Sequence, residues 1–203
     1  MTDRLPASPE GIALAADILR GGGVVAIPTD TVYGLAVSWD RADRLAALYG
    51  LKRRPPEKQI AALVASLDHA TAAGWHADAR ATSLAERLWP GPLTIVLGGA
   101  TGPSGRTQGF RVPNHAVALD LIRAAGPLLA TSANLSGEPD TLDADDVLIA
   151  FAMQQSELDA VIDGGRVPGG VGSTVIDLTV SPARILREGP IERRALEEIL
   201  DLG

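Results

Sequence analysis

Apolar residues recur at helical spacing close to the start of the chain, where Ile12, Ala15, Ala16 and Leu19 share one face of a 3.6-residue repeat. The preceding Ser8-Pro9-Glu10 has the form of a helix start: a capping hydroxyl, a proline in the first turn, and an acid near the positive end of the dipole. Gly21-Gly22-Gly23 closes that helix. Val24–Ile27 is a continuous, β-branched apolar run and predicts a buried strand. Further helices are expected over Arg41–Leu51, Asp68–Gly74, Asp78–Leu88, His115–Ala124, Asp143–Phe151 and Ile191–Leu200. Strands are expected at Ile60–Val64, Leu93–Leu97, Phe110–Val112, Leu128–Thr131, Val161–Asp163, Ser173–Leu178 and Arg184–Leu186, with Gly98–Gly109 read as a loop. Strands and helices intermingle without strict alternation. That pattern predicts an α/β (α+β) fold with a mixed sheet, and no composition shift divides residues 1–203 into more than one domain.

Hydrophobic residues make up 46% of the 203 positions and charged residues 21%, which predicts a packed core rather than a disordered chain. With only 3% aromatic residues, that core must be mainly aliphatic. There is no cysteine, which excludes disulfides, thiolate nucleophiles and zinc knuckles. Apolar runs such as Leu93–Leu97 and Leu128–Ala130 fall well short of the ~20 residues of a membrane span. The opening MTDRLPASPEG carries no apolar signal core, so a cytoplasmic location is expected.

Charge is unevenly spread. Between Arg41 and Lys58 six bases face two acids, a local +4 that leaves −11 on the rest of a chain of net charge −7. A basic island on an acidic body predicts a small anionic ligand, or a short stretch of nucleic acid, bound at one place. No Walker-A loop, G-x-G-x-x-G or G-x-S-x-G occurs, and His69, His76 and His115 show no metal-ligand spacing. Chemistry in this chain must therefore proceed by positioning and charge.

Four polar segments follow apolar strands or a helix. Pro28–Leu35 (PTDTVYGL) offers two Thr hydroxyls, a carboxylate and a Tyr. Lys52–Lys58 places four cations in seven residues stiffened by Pro55 and Pro56, an array suited to a triphosphate. Thr131–Gly137 is small and hydroxylated, like an anion-binding nest, and Gly169–Val175 is rich in glycine.

Seven segments in order resemble the YrdC family of L-threonylcarbamoyladenylate synthases: PTDTVYGL, KRRP (Lys52–Pro55), PGPLT (Pro90–Thr94), FRVPNH (Phe110–His115), TSANLSG, GSTVID (Gly172–Asp177) and LREGPI (Leu186–Ile191). The resemblance implies a strongly twisted mixed sheet of the YrdC/RibB-like kind, with helices around a positively charged concave face. It implies a nucleotidyl transfer that joins L-threonine, bicarbonate or CO2, and ATP accompanied by Mg2+, releasing pyrophosphate. The product serves threonylcarbamoyladenosine formation in tRNA, so tRNA and a downstream transferase complex are implied as partners. Carried over by residue, Thr31, Arg111, Thr131 and Ser173 would hold L-threonine. Arg54, Lys58, Thr107, Ala133, Thr141 and Arg187 would hold ATP. Lys52 with Arg54, and Ser132 with Asn134, match the family's K-x-R and S-x-N pairs and would be the catalytic residues; metal ligands stay unassigned, with Mg2+ held mainly by ATP itself. The chain departs from the family at Gln59-Ile60, at Leu63 where relatives place a His of the threonine site, and at Gly172 where many have an acid. The alternative is a non-catalytic module gripping double-stranded RNA or tRNA. Scarce aromatics and an acidic total charge count against it.

Overall fold

The computed structural model describes the chain except for residues 54, 56–58, 100–104, 155 and 156. Among the described residues, eleven strands join into one sheet. They are β1 (Asp3–Pro6), β2 (Val25–Ile27), β3 (Gly34–Ser38), β4 (Ala61–Leu63), β5 (Trp75–His76), β6 (Leu93–Gly99), β7 (Thr107–Arg111), β8 (Leu128–Ser132), β9 (Ala160–Asp163), β10 (Thr174–Asp177) and β11 (Arg184–Arg187). The order across the sheet is β1-β9-β2-β3-β8-β4-β7-β6-β10-β11, with β5 paired to β6 off that path. Pairing is mixed: β1–β9, β2–β9, β4–β7 and β6–β10 run parallel, and the remaining pairs antiparallel. The expected fold class is the observed one.

Seven α-helices accompany the described sheet: α1 (Pro9–Arg20), α2 (Leu45–Lys52), α3 (Leu67–Ala72), α4 (Ala79–Leu88), α5 (Ala116–Ala125), α6 (Ala144–Ala150) and α7 (Arg193–Glu197). Their starts follow local chemistry. Ser8 caps α1 through Gly11 N–H, Asp78 caps α4 through the Arg80 and Ala81 N–H groups, and Asp143 caps α6 through Asp146 N–H. Gly11 also lets β1 turn back onto α1, because a Cβ there would lie 2.0 Å from the Pro6 carbonyl oxygen.

Three expectations need correction. The single helix over Arg41–Leu51 is a 3-10 segment, Trp39–Arg44, broken by non-helical angles at Arg41 and followed by α2. The Gly98–Gly109 loop is shorter, since β6 runs through Gly99 and β7 begins at Thr107. Gly34-Leu35, read as part of a polar loop, opens β3.

Side-chain alternation divides the sheet's two faces. One carries Leu35, Val37, Ala62, Ile95, Phe110, Leu129 and Ile176 into the larger core. Phe110 anchors it, with its ring 5.6 Å from Trp75 and 6.1 Å from Trp39. The other face carries Val25, Ile27, Ala36, Leu128 and Ala130 against Ile12, Ala15 and Leu19 of α1 and Leu121 and Ile122 of α5. Those helices cover only part of it. On β4, β7, β6 and β10 the same face presents Ala61, Leu63, Gly109, Arg111, Thr94, Val96 and Val175 to a cavity.

Candidate active site

The cavity has a volume of about 430 Å3, a size suited to small ligands. Its floor is low because Ala61, Gly109 and Ala130 bring almost no side chain to it. Leu63, Val96 and Val175 form apolar parts of the wall, and Leu186 contributes from the edge strand β11. Polar groups come from Thr29, Thr31, Gln59, Thr94, Arg111, Thr131, Ser132, Ser173 and Arg187. Asp140 is the one carboxylate lining it among the described residues.

The connection from β2 to β3 folds back over this face. Within it Thr29 Oγ1 donates to the Val32 carbonyl at 2.7 Å and accepts from Thr31 N–H at 3.2 Å, a hydroxyl-stabilised turn. That turn presents Asp30 and Thr31 to Arg111, at the end of β7. Arg111 Nη2 donates to Asp30 Oδ1 at 2.6 Å, Nη1 to Thr31 Oγ1 at 3.1 Å, and Nε to the Gly91 carbonyl at 3.0 Å. Asp30 Oδ1 also accepts from Asn114 N–H at 3.0 Å. Burial pulls the Arg111 pKa below its ordinary value and Asp30 opposes that pull. The guanidinium stays charged, since arginine does not lose its proton in proteins. Of its five N–H donors, three are engaged by these partners and two remain for a ligand. A buried cation with donors to spare, lining a cavity, can receive a carboxylate.

On the other side, Ser173 Oγ lies 2.7 Å from Thr94 Oγ1, and both residues are buried. Arg187 donates to the Ser173 carbonyl through Nε at 2.9 Å and Nη2 at 2.7 Å, which ties β11 to the glycine-rich segment. Gly169 N–H donates to the Thr31 carbonyl at 2.9 Å, joining that segment to the β2–β3 connection.

Of the residues carried over from the resemblance, Thr31, Arg111, Thr131 and Ser173 of the threonine set, Arg187 of the ATP set and Ser132 of the S-x-N pair line one cavity. In the β3–β8 register, Thr131 stands opposite Leu35 of the larger core, whereas Ser132 stands opposite Gly34. Lys52, Ala133, Asn134 and Thr141 sit behind the wall. Lys52 is only 1% exposed, and its ammonium donates to the carbonyls of Ser132 and Asn134 and, at 3.0 Å, to Asn134 Oδ1. Ser132 Oγ donates to Asn134 Oδ1 at 2.6 Å. Lys52 of the K-x-R pair therefore meets the S-x-N pair and holds the turn after β8 in shape. Thr141 donates its hydroxyl proton to the Ala133 carbonyl at 2.7 Å. Thr107 lies at the start of β7 and accepts from Gln59 Nε2 at 3.2 Å. Arg54 and Lys58 lie outside the described residues.

Sequence reasoning did not single out Asp30 as the partner of Arg111, nor Thr94 as the partner of Ser173. The PGPLT segment contains Thr94, and its alternation with Leu93 and Ile95 is the signal that turns it toward the cavity. Leu63, set aside as a departure, proves to be part of the wall.

Comparison with known proteins agrees with this fold. The family model Sua5/YciO/YrdC, described as "Telomere recombination", matches residues 17–189. A threonylcarbamoyl-AMP synthase of Pyrococcus abyssi is 36% identical, with 93% of this chain and 57% of that protein covered. One from Bacillus subtilis is 35% identical, with 98% of this chain and 59% of that protein covered. The crystal structure of P. abyssi Sua5 complexed with L-threonine superposes with a TM-score of 0.88 at 32% identity, covering 100% of this chain and 62% of that one. This chain thus spans under two thirds of the length of each of these three relatives. The match runs through every strand of the cavity floor, and the chain belongs to the Sua5/YciO/YrdC family.

Proposed function

We propose that this chain is an L-threonylcarbamoyladenylate synthase, a single YrdC-like domain over residues 1–203 that joins L-threonine, bicarbonate or CO2, and ATP. The observation that carries the reading is Arg111: a buried guanidinium at the end of a small cavity, oriented by Asp30, Thr31 and the Gly91 carbonyl, with two N–H donors to spare. It would hold the α-carboxylate, and the hydroxyls of Thr31, Thr94 and Ser173 face the space beside it.

The chemistry follows from positioning. The threonine amine adds to CO2 and loses a proton to become a carbamate. A carbamate oxygen then attacks the α-phosphorus of ATP, the bond to the β-phosphate oxygen breaks, and pyrophosphate leaves. Negative charge grows on the phosphoryl oxygens, and Arg187 at the cavity wall, with Arg54 and Lys58 of the basic segment, would offset it. Lys52 acts indirectly in this reading, by fixing the Ser132–Asn134 turn. Mg2+ enters as the ion carried by ATP. Among the described residues no group of three or more His, Asp or Glu side chains could seat one. Holding the reactants in one cavity supplies several kcal/mol through proximity. The product, a mixed anhydride, would pass to a transferase that acylates tRNA in the cytoplasm. No helix among the described residues is long and apolar enough to cross a membrane.

The test is pyrophosphate release with ATP, threonine and bicarbonate together. Release that needs all three supports the reading, and ATP hydrolysis indifferent to threonine overturns it.

A further inference from the structure

Thr94 and Ser173 stand at neighbouring strand starts with their hydroxyl oxygens 2.7 Å apart, both buried and both lining the cavity. Gly109 makes that arrangement possible. A Cβ at Gly109 would lie 3.0 Å from the Thr94 Cγ2 methyl, so its absence lets the methyl settle over β7 while Oγ1 faces Ser173.

Two hydroxyls bring two protons, and the bond between them uses one. Ser173 Oγ also accepts from Arg187 Nη2 at 3.1 Å, and Thr94 has no further partner among the described residues. If Ser173 donates to Thr94, the Thr94 proton is left over. If Thr94 donates, Ser173 already accepts from both neighbours and its own proton is left over. Either way the pair offers the cavity one O–H donor. In the β6–β7 register Ile95 stands opposite Phe110, so Thr94 and Arg111 come next on adjacent strands of the cavity face. A ligand whose carboxylate meets Arg111 therefore brings its neighbouring carbons to the Thr94–Ser173 pair.

We infer that Thr94 is a specificity-determining residue: together with Ser173 it donates to the side-chain hydroxyl oxygen of the bound amino acid. The inference rests on the threonine reading above and deepens it. A site that offers a donor to a substrate hydroxyl leaves that donor unmet when the hydroxyl is missing, and so rejects the analogue.

The experiment compares L-threonine with L-2-aminobutyrate, the same skeleton without the hydroxyl, by calorimetric titration. The wild-type chain should bind threonine at least about tenfold more tightly. Because Ser173 alone would still carry a free proton, the decisive variant removes both hydroxyls: Thr94→Val combined with Ser173→Ala, which keeps the methyl over Gly109, should lose about tenfold for threonine and less than about twofold for 2-aminobutyrate. Thr94→Ser on the Ser173→Ala background, which restores the one hydroxyl at position 94, should recover the preference. If the valine variant melts early, Thr94→Ala on the same background removes the same hydroxyl without adding bulk and repeats the test. A variant that keeps the full preference, or loses both ligands equally, overturns the inference. Wild-type protein that binds both ligands alike overturns it while leaving the carboxylate site standing. Wild-type protein that binds neither overturns the threonine reading itself.

Discussion

Asp30 and Arg111 are 81 residues apart in the chain and 2.6 Å apart in the fold, a salt bridge whose side chains are 12% and 8% exposed. The pair fixes the direction of the guanidinium. Arg111→Lys keeps the charge but cannot reach Asp30, Thr31 and the Gly91 carbonyl together, because an ammonium is a compact point donor. Threonine affinity should fall by about 1–3 kcal/mol, measured by calorimetry. An unchanged affinity would remove Arg111 from the carboxylate site.

Lys52→Met tests the other buried cation. Its loss takes away the donor to the Ser132 and Asn134 carbonyls, while Asn134 Oδ1 keeps the Ser132 hydroxyl. Buried unsatisfied groups cost roughly 1–3 kcal/mol each, so for the two carbonyls urea unfolding should show a loss of about 2–6 kcal/mol with turnover falling alongside. A variant as stable as wild type but inactive would mean that Lys52 meets the substrate directly.

Gly109→Ala places a methyl on the cavity floor, 3.0 Å from the Thr94 methyl and 3.9 Å from Ala61 Cβ and Val96 Cγ2. Crowding of this kind costs about 1–3 kcal/mol of stability. Threonine binding should suffer more, by tenfold or beyond, because Thr94 is displaced and volume is lost. Melting curves and titrations on one preparation separate the two effects, and wild-type affinity would count against the floor as drawn.

Asp78→Asn gives a pH test away from the cavity. Burial pushes the Asp78 carboxyl up, but the Arg80 guanidinium and the Ala81 and Arg80 N–H groups outweigh it and hold its pKa below the ordinary 3.8. The folded value is the lower one. The stabilisation is therefore present above pH 3.8 and disappears as pH falls through the folded value. Asn keeps the helix cap and loses the ion pair, so at neutral pH the variant should be less stable by about 1 kcal/mol, discounted for partial exposure. That difference should vanish at the acid end of a melting series run from pH 7 downward. A constant difference would assign the loss to the cap instead.

Elements with a strong local signal were legible in the sequence. Ser8, Asp78 and Asp143 begin helices where capping chemistry places them, and apolar runs such as Leu93–Leu97 and Leu128–Thr131 are strands. β1 has one buried side chain, Leu5, among four residues, too little for alternation to register. β3 begins with Gly34 after a polar segment, and it is a strand because β2 and β8 supply its hydrogen-bond partners on both sides. The site divided in the same way. The polar loops could be named from their residues. The Asp30–Arg111 and Thr94–Ser173 contacts depend on strand order, which no local pattern encodes.

The four strands beneath the cavity give alternate residues to two purposes, as Leu93, Thr94 and Ile95 do on β6 and Gly109, Phe110 and Arg111 on β7. Inserting one residue within either strand would exchange the two sets, sending Arg111 into the oily interior and Phe110 out into the cavity. Descendants of this chain can lengthen or shorten its loops, but on these strands they can explore new substrates only by replacing one side chain with another.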